Sequence, residues 1–303
     1  MRLYRFKTFR TTYYFPPIEK GQEFLYGLYT PYGLVAKVYW WLFRNLSIVR
    51  LINRVDSSCL EFSYGTIIKL MPEGCVLSFN MGSPGIEQKI SILGVDSGGN
   101  RFFAKYSEKP EAIKLSRNEV RVLTKLKGLN QTPDLYYYSD CDDYCFIRTS
   151  FVKGCTMKSL NMNNDIVDLA IKISKCPFDT GNNNIHLKTG LAHGDFCPWN
   201  MLVDNGEIHL IDWELAGEKP LGFDLFTFIC ETSATFNRKE RLSSAIKTNE
   251  VFLRKYFDAF EIDSFDSYLD VFAHYKYERE LSKGDMYLYG KYKELAEDLA
   301  LSQ

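Results

Sequence analysis

Side chains able to do chemistry concentrate in a few short stretches of this 303-residue chain. Leu191–Asn200 reads LAHGDFCPWN, and Ile208–Glu214 follows as IHLIDWE. Asp195 and Asp212 stand beside Ile, Leu and Trp, where an unpaired carboxylate costs several kcal/mol or is driven to neutralise. Each needs a compensating partner. Upstream, the turn Met81–Ile86 (MGSPGI) sets Gly82 and Gly85 around Ser83, and its glycines let backbone amides approach a phosphate where a Cβ would obstruct. Lys105 lies in the apolar run FFAK, and Glu119 in the next segment is its natural carboxylate partner. With a phosphate above it and that carboxylate behind it, Lys105 becomes a positioned cation. Singly, each residue has a plainer role: Asp195 as an N-cap, Asn200 as a turn residue, Asp212 as a strand end, Trp199 and Trp213 as core. Their joint order is what argues for a site. No P-loop and no GxGxxG at a strand-to-helix junction occurs, which removes the main support for P-loop and dinucleotide-binding readings.

The elements that must position these residues change character along the chain. Gly74–Asn80, Gln88–Val95 and Arg101–Ser107 are short runs rich in Val, Ile and Phe, separated by Gly-rich turns, and predict an antiparallel meander. Glu111–Lys127 has helical spacing, with Gly128 placed to cap it. Asp143–Val152 reads as one more strand, and the remainder is mainly helical, as in Asp165–Lys175 and Arg238–Phe260. Strands first and helices later predict an α+β chain. The expected division is an N-terminal extension over 1–70, a sheet-rich lobe over 71–152 and a helical lobe over 153–303.

Hydrophobic residues make up 46% of the chain and charged ones 25%, enough for a sizeable core shared between two lobes. A net charge of -1 offers no basic footprint for nucleic acid, so no nucleic-acid partner is expected. The eight cysteines form no CxxC pair and read as reduced thiols of a cytoplasmic protein. Cys141 and Cys145 lack the nearby His or second pair that a zinc site needs. The first residues lack the apolar core of a signal peptide, so export is not expected.

Tyr32–Arg54 (YGLVAKVYWWLFRNLSIVRLINR) is long enough to span a bilayer, but Lys37, Arg44 and Arg50 interrupt it. It reads as one amphipathic helix with Leu34 or Val35, Val38, Leu42, Leu46, Val49 and Ile52 on its apolar face, and Lys37, Trp40, Arg44 and Ser47 on the others. That face either packs on the body of the protein or docks on anionic lipid, a peripheral contact that would place the protein at the inner membrane surface.

The Gly-rich turn, Lys105, Glu119, HGDFCPWN and IDWE together resemble the aminoglycoside phosphotransferase and choline kinase family, distant relatives of protein kinases, whose patterns include HGDxxxxN followed by a strand ending in Ile/Val-Asp-Trp/Phe. The resemblance covers about Leu77–Ile229. It implies a two-lobed protein-kinase-like fold, with a small antiparallel-sheet N-lobe and a larger, mainly helical C-lobe. It also implies ATP and Mg²⁺ as cofactors. Asp195 is then the catalytic base that accepts or orients the acceptor hydroxyl proton; Asn200 and Asp212 hold the metal; Lys105, braced by Glu119, bridges two phosphates. His193 supports the loop backbone, Asp224 braces the loop from the next helix, and Pro198 and Trp199 shape it. Adenine would hydrogen-bond backbone around Thr149, Ser150 and Val152. MGSPGIEQK is also similar to the Gly-rich turn of a bacterial branch associated with cell-surface polysaccharide synthesis.

The acceptor implied is a hydroxyl on a small molecule: a sugar, a glycan intermediate or an amino alcohol. Glu231, Asp258, Glu261, Asp263, Asp266 and Asp270 read as a solvated acidic face. A protein kinase is the alternative, although HGD stands for HRD and IDWE for DFG; a nucleotide-binding pseudokinase or scaffold is the other. On the expected division, residues 1–30 are dispensable for nucleotide binding, and Lys105→Met leaves the fold intact.

Overall fold

The computed structural model describes residues 2–301 apart from 18, 32, 58–59, 61–62 and 179–185, so Tyr32, the expected helix start, and Cys59 lie outside the described residues. The chain forms two compact units, Met1–Arg121 with Asp134–Phe151, and Val122–Pro133 with Val152–Gln303.

An eight-stranded sheet organises the first unit. Its strands are β1 (Arg2–Lys7), β2 (Thr12–Phe15), β3 (Arg54–Asp56), β4 (Val76–Asn80), β5 (Ile90–Val95), β6 (Arg101–Ser107), β7 (Leu135–Asp140) and β8 (Cys145–Ser150), in the order β3-β1-β2-β4-β5-β6-β8-β7. Every neighbouring pair is antiparallel. Strand alternation gives the sheet two apolar faces. Ile90 and Ile92 join Leu3, Leu77, Phe79 and Phe102 in one core, while Leu93 and Val95 join Phe6 and Phe15 in the other. Four helices belong to this part of the chain: α1 (Leu34–Asn45), α2 (Ser47–Ile52), α3 (Tyr64–Lys69) and α4 (Pro110–Lys125), the last running on into the second unit. Ile67 of α3 enters the first core, and Trp40 and Phe43 of α1 enter the second.

Three sequence expectations need correction. Residues 1–70 are not an extension beside the sheet, because β1, β2 and β3 are part of it, joined through the register Tyr13↔Asn80 between β2 and β4. Leu3, Phe6 and Phe15 are buried, and Phe24 packs its ring 5.8 Å from that of Phe151. The basic and aromatic alternation of RLYRFK and TYYF hides two core strands. The helix beginning near Tyr32 is two helices, broken where Leu46 adopts extended backbone (φ -99°, ψ 113°). Trp40, expected off the apolar face, is buried with its ring 4.9 Å from that of Phe6. Burying aromatic area outweighs burying small aliphatics. Lastly, the edge strand β7 (LYYYSD) went unanticipated, since its three tyrosines are exposed and show no two-fold pattern.

The second unit holds β9 (Cys155–Thr156), α5 (Asn164–Ser174), β10 (Thr189–Ala192), β11 (Met201–Asp204), β12 (Glu207–Leu210) and β13 (Gly217–Pro220), then α6 (Phe223–Phe236), α7 (Leu242–Thr248), α8 (Glu250–Asp258), α9 (Asp266–Lys283) and α10 (Met286–Ala300). Its strands make two small sheets, β10-β13 and β12-β11-β9. Asn163 caps α5 by accepting the Ile166 N–H at 3.0 Å. α6 is buried along nearly its whole length and forms the centre of the helical core. The expected helix over 238–260 is α7 and α8, divided at Asn249, whose side chain donates back to the Ala245 carbonyl at 2.9 Å. A sheet-rich unit followed by a mainly helical one is the expected α+β organisation.

Because β1 and β2 carry core residues, Phe15→Ala should destabilise the first unit by about 3–5 kcal/mol in denaturant titration. Deleting residues 1–30 should prevent that unit from folding; a truncated protein with the parental thermal transition would show that these strands are dispensable after all.

Candidate active site

In the first unit the sheet presents a turn and a cation. Gly82 has φ of 69°, and a Cβ there would lie 2.4 Å from the Lys89 carbonyl oxygen, so glycine is required. Gly85 meets no such limit, and Ser83 is exposed. The Gly82 N–H donates to Asn80 Oδ1 at 3.0 Å, and Gln88 Nε2 donates to the Met81 carbonyl at 2.9 Å, closing the turn on itself. Lys109 adds a clamp that sequence reading missed: its Nζ donates to the Gly85 carbonyl at 2.6 Å and to Gln88 Oε1 at 3.0 Å. Lys109 lies just before α4, and nothing in its sequence context singles it out among the surface lysines.

Lys105 on β6 and Glu119 on α4 are both buried, and the Lys105 Nζ lies 2.8 and 2.6 Å from the two carboxylate oxygens. The strand sets Lys105 on the face of Phe103, opposite Ala104 and Tyr106, and the helix brings Glu119 across to it. Two-oxygen contact fixes the ammonium, and burial makes either charge costly without the other. The expected fold-neutrality of Lys105→Met is therefore corrected: removing the cation strands a buried carboxylate.

The adenine positions need adjustment too. Thr149 lies inside β8, in register with Phe103 on one side and Leu135 on the other, so its backbone belongs to the sheet. The Ser150 N–H donates to the Asp134 carbonyl at 2.8 Å and its hydroxyl accepts the Asp134 N–H at 2.9 Å. The strand ends at Ser150, leaving Phe151 and Val152 beyond it.

The second unit builds the loop of Asp195. β10 ends at Ala192, and the next two backbone N–H groups, of His193 and Gly194, both donate to the Asp224 carboxylate, at 2.7 and 3.0 Å. Asp224 is in the first turn of α6, where the helix dipole favours a negative charge. Burial nevertheless pushes its carboxyl above the ordinary 3.8, outweighing the two backbone donors. Gly194 has φ of 81°, and a Cβ would sit 2.2 Å from the Leu215 carbonyl oxygen. The His193 ring is fully buried: Nε2 bonds the Ile211 carbonyl at 3.0 Å and Nδ1 accepts the Asp195 N–H at 3.3 Å, which together specify the neutral Nε2–H tautomer. His193 is a loop-positioning residue.

Asp195 is half-buried. Asn200 Nδ2 donates to its carboxylate at 2.8 Å and to its backbone carbonyl at 2.9 Å, and the Cys197 thiol donates to Oδ1 at 3.4 Å. With Nδ2 committed, Oδ1 is the Asn200 atom that can face a cation. The Ile211 N–H donates to the Asn200 carbonyl at 3.0 Å, tying Asn200 to the residue before Asp212. Asp212 is left-handed, φ 69°, a conformation costing a non-glycine residue about 1–2 kcal/mol. Trp213 locks this turn, fully buried, with Nε1 donating to the Leu210 carbonyl at 3.1 Å and its ring 4.6 Å from His193. Trp213 is core, whereas Trp199 is exposed and Pro198 buried in the short 3₁₀ turn Pro198–Asn200.

One charged group was misread. Glu231, expected on a solvated face, accepts from buried Lys276 at 2.5 Å and from the Tyr292 hydroxyl at 2.8 Å. Its apolar context, FDLFTFICE, was the available signal. Burial pushes the Cys197 thiol well up, with the charges of Asp195 and Glu231 adding to the effect, so Cys197 remains a protonated donor to Asp195. Asp258, Glu261, Asp263 and Asp266 are exposed.

Residues 175–260, which hold this loop, Asp212 and Asp224, match the model of the phosphotransferase enzyme family. The match includes HGDFCPWN and IDWE from the stretch that carries the resemblance, but not the Gly-rich turn, Lys105 or Glu119. A probable serine/threonine-protein kinase BUD32 homolog of Archaeoglobus fulgidus is 32% identical over 62 residues, 19% of this chain and 32% of that protein. The chain thus spans about a third of the length of that curated relative. Among solved structures, amicoumacin kinase hAmiN in complex with AMP-PNP, Ca²⁺ and Ami is 11% identical, with a TM-score of 0.49 over 70% of this chain and 82% of that one. Aminoglycoside-3'-phosphotransferase of type VIII is 18% identical, with a TM-score of 0.44 over 57% of this chain and 83% of that one.

Lys105→Met should cost about 3–5 kcal/mol of stability by stranding Glu119, and Lys105→Met with Glu119→Leu should recover most of it. Equal stability of parent and single variant in denaturant titration would contradict the buried pair. For Asp224 the folded protein holds its proton more tightly than the unfolded chain, so its contribution to stability is greatest below the ordinary 3.8 and declines as pH rises through the raised value. Asp224→Asn should remove that decline from the pH dependence of unfolding while losing one loop hydrogen bond, about 1–3 kcal/mol.

Proposed function

We propose that this chain is an ATP- and Mg²⁺-dependent phosphotransferase acting on a hydroxyl group of a small molecule. The observation that carries the reading is the Asp195–Asn200 pair: one amide group holds the Asp195 carboxylate through Nδ2 at 2.8 Å, leaving its own oxygen for a cation. The phosphotransferase enzyme family match over residues 175–260 supports it.

Asp195, half-buried and oriented by Asn200 and Cys197, accepts or orients the acceptor hydroxyl proton. Asn200 Oδ1 and the Asp212 carboxylate are hard oxygen donors of the kind Mg²⁺ takes, and both belong to turns fixed by backbone hydrogen bonds. Mg²⁺ held by these oxygens would supply charge to offset that of the phosphates. Lys105, held by Glu119, contributes a fixed cation to the phosphates, and the turn clamped by Lys109 contributes backbone amides. His193 and Asp224 keep the loop in shape. Adenine recognition falls to the backbone of Phe151 and Val152, past the end of β8.

The acceptor we favour is a sugar, a glycan intermediate or an amino alcohol. A protein acceptor is the second reading, supported by the short match to the archaeal probable protein kinase. HGD in place of HRD and IDWE in place of DFG weigh against it. The seven described cysteines are all free, which supports a reducing, cytoplasmic setting.

Asn substitutions at the two carboxylates should fail differently. Asp195→Asn keeps size and hydrogen bonding but cannot take the proton, so turnover should fall by about 10²–10⁴ with Mg-ATP affinity little changed. Asp212→Asn should weaken metal-dependent nucleotide binding and be partly restored by raising Mg²⁺. Mass spectrometry of products from a panel of sugars, amino alcohols and proteins identifies the acceptor, and Mg²⁺ titration at fixed ATP separates the variants. Rescue of Asp195→Asn by metal, or parental turnover in both, would refute these roles.

A further inference from the structure

α1 is apolar on two opposite faces. Ala36, Trp40 and Phe43, spaced i, i+4, i+7, turn inward, and Trp40 is only 7% exposed. Leu34, Val38 and Trp41 repeat the same spacing half a turn away and point outward, at 78%, 51% and 59% exposure. α2 continues the pattern: none of its residues is buried, and Ile48, Leu51 and Ile52 are all strongly exposed. Nine of the twenty-four large exposed hydrophobics among the described residues fall between 34 and 52, so exposed apolarity is concentrated on these two helices.

Charge identifies what would cover it. Residues 24–55 contain no Asp or Glu, while Lys37, Arg44, Arg50 and Arg54 lie among the apolar side chains. Residues 1–56 carry nine Lys and Arg against three Asp and Glu, in a chain whose totals are 37 and 38. Lys37 and Arg44, seven residues apart, run along one flank of the outward stripe of α1 and are exposed. A second copy meeting this face through a two-fold axis would set Lys37 and Arg44 against their own counterparts, with Glu23 close enough to feel the charge of Arg44 but no Asp or Glu within residues 24–55. An anionic lipid surface offers both complements: acyl chains for Leu34, Val38 and Leu51, and negative headgroups for the basic flank. Trp41, exposed, is the amphipathic aromatic that favours the depth where headgroups meet acyl chains. Neither helix is a span, for no helix among the described residues is long and apolar enough to cross a membrane.

We propose that the outward face of α1 and α2 docks the protein peripherally on an anionic lipid bilayer, lying in the interface plane. The inference is independent of the phosphotransfer reading, since it uses none of that site's residues. Trp40 and Phe43 anchor the helix to the sheet while the opposite face remains available, so docking requires no unfolding of the core.

The test is flotation of the full chain with phosphatidylcholine vesicles and with vesicles containing phosphatidylglycerol as well. Retention should be strong only on the anionic vesicles and lost as salt is raised to about 1 M. Lys37→Gln and Arg44→Gln should each lower partition about fivefold. Trp41→Ser and Leu51→Ser, at exposed positions that keep the parental thermal transition, should each lower it about tenfold. Brominated lipid should quench tryptophan emission in the parent more than in Trp41→Ser. No retention on anionic vesicles overturns the proposal, as does retention unaffected by Trp41→Ser and Leu51→Ser. A dimer in sedimentation that Trp41→Ser dissociates, without vesicle binding, assigns the face to a second copy instead and also overturns it.

Discussion

The loop of Asp195 cannot satisfy its own backbone, and the Asp224 carboxylate makes up that deficit. By accepting from both His193 and Gly194 it fixes the start of the loop on the first turn of the most buried helix. His193 then carries the constraint onward, since its ring receives the Asp195 N–H on one nitrogen and reaches the Ile211 carbonyl with the other. The circuit closes where the Ile211 N–H meets the Asn200 carbonyl and the Asn200 amide returns to Asp195. Three candidate site positions are thereby fixed by a few hydrogen bonds, each between groups that would be costly to leave unpaired in that setting. Rigidity here is a consequence of burial.

The same logic sets stability against chemistry in the first unit. A buried Lys105–Glu119 pair is a poor source of stability, because desolvating both charges offsets much of their attraction. Apolar residues of similar volume would serve the sheet as well. What the pair adds is a cation held at a fixed point by a two-oxygen contact, and the aromatic cores on the two faces of the sheet tolerate the cost. Those cores depend on residues 2–56 for Leu3, Phe6, Phe15, Trp40 and Phe43. The N-terminal strands and the helix after them are thus structural parts of the unit that holds Lys105.

Legibility in the sequence followed how each residue meets solvent. HGDFCPWN and IDWE could be read because polar residues in apolar surroundings need an explanation, and the structure supplies partners for His193, Asp195, Asn200 and Asp224. Strands β4, β5 and β6 were legible through runs of Val, Ile and Phe bounded by glycine. β1 and β2 were not, because each is short and mixes aromatic residues with basic or hydroxyl ones. Lys109 was illegible for a different reason, its contacts joining positions 21 residues or more apart with no local pattern, whereas the apolar run before Glu231 hinted at burial but not at its partners Lys276 and Tyr292, 45 and 61 residues away. The resemblance alone put adenine against the backbone of Thr149 and Ser150, and the pairing of β8 claims that backbone first.

The helix pair after β2 shows where periodicity itself misleads. A hydrophobic stripe marks an inward face only when the rest of the helix is polar. In α1 the stripe of small aliphatics and the stripe of aromatics compete for the core, and the aromatic one wins because Trp40 and Phe43 stack at 5.7 Å and each lies 4.9 Å from the Phe6 ring. Aromatic rings bring more buried area per residue and their own edge and face preferences. The aliphatic stripe is left outside, where water alone gives no reason for Leu34, Val35 and Val38 to persist side by side with cations. Lys37 and Arg44 prevent the helix from entering a bilayer as a span, and the exposed aliphatics are poorly suited to bulk water. A surface that is at once apolar and basic is satisfied at the boundary between hydrocarbon and anionic headgroups, and that boundary condition accounts for both halves of its composition.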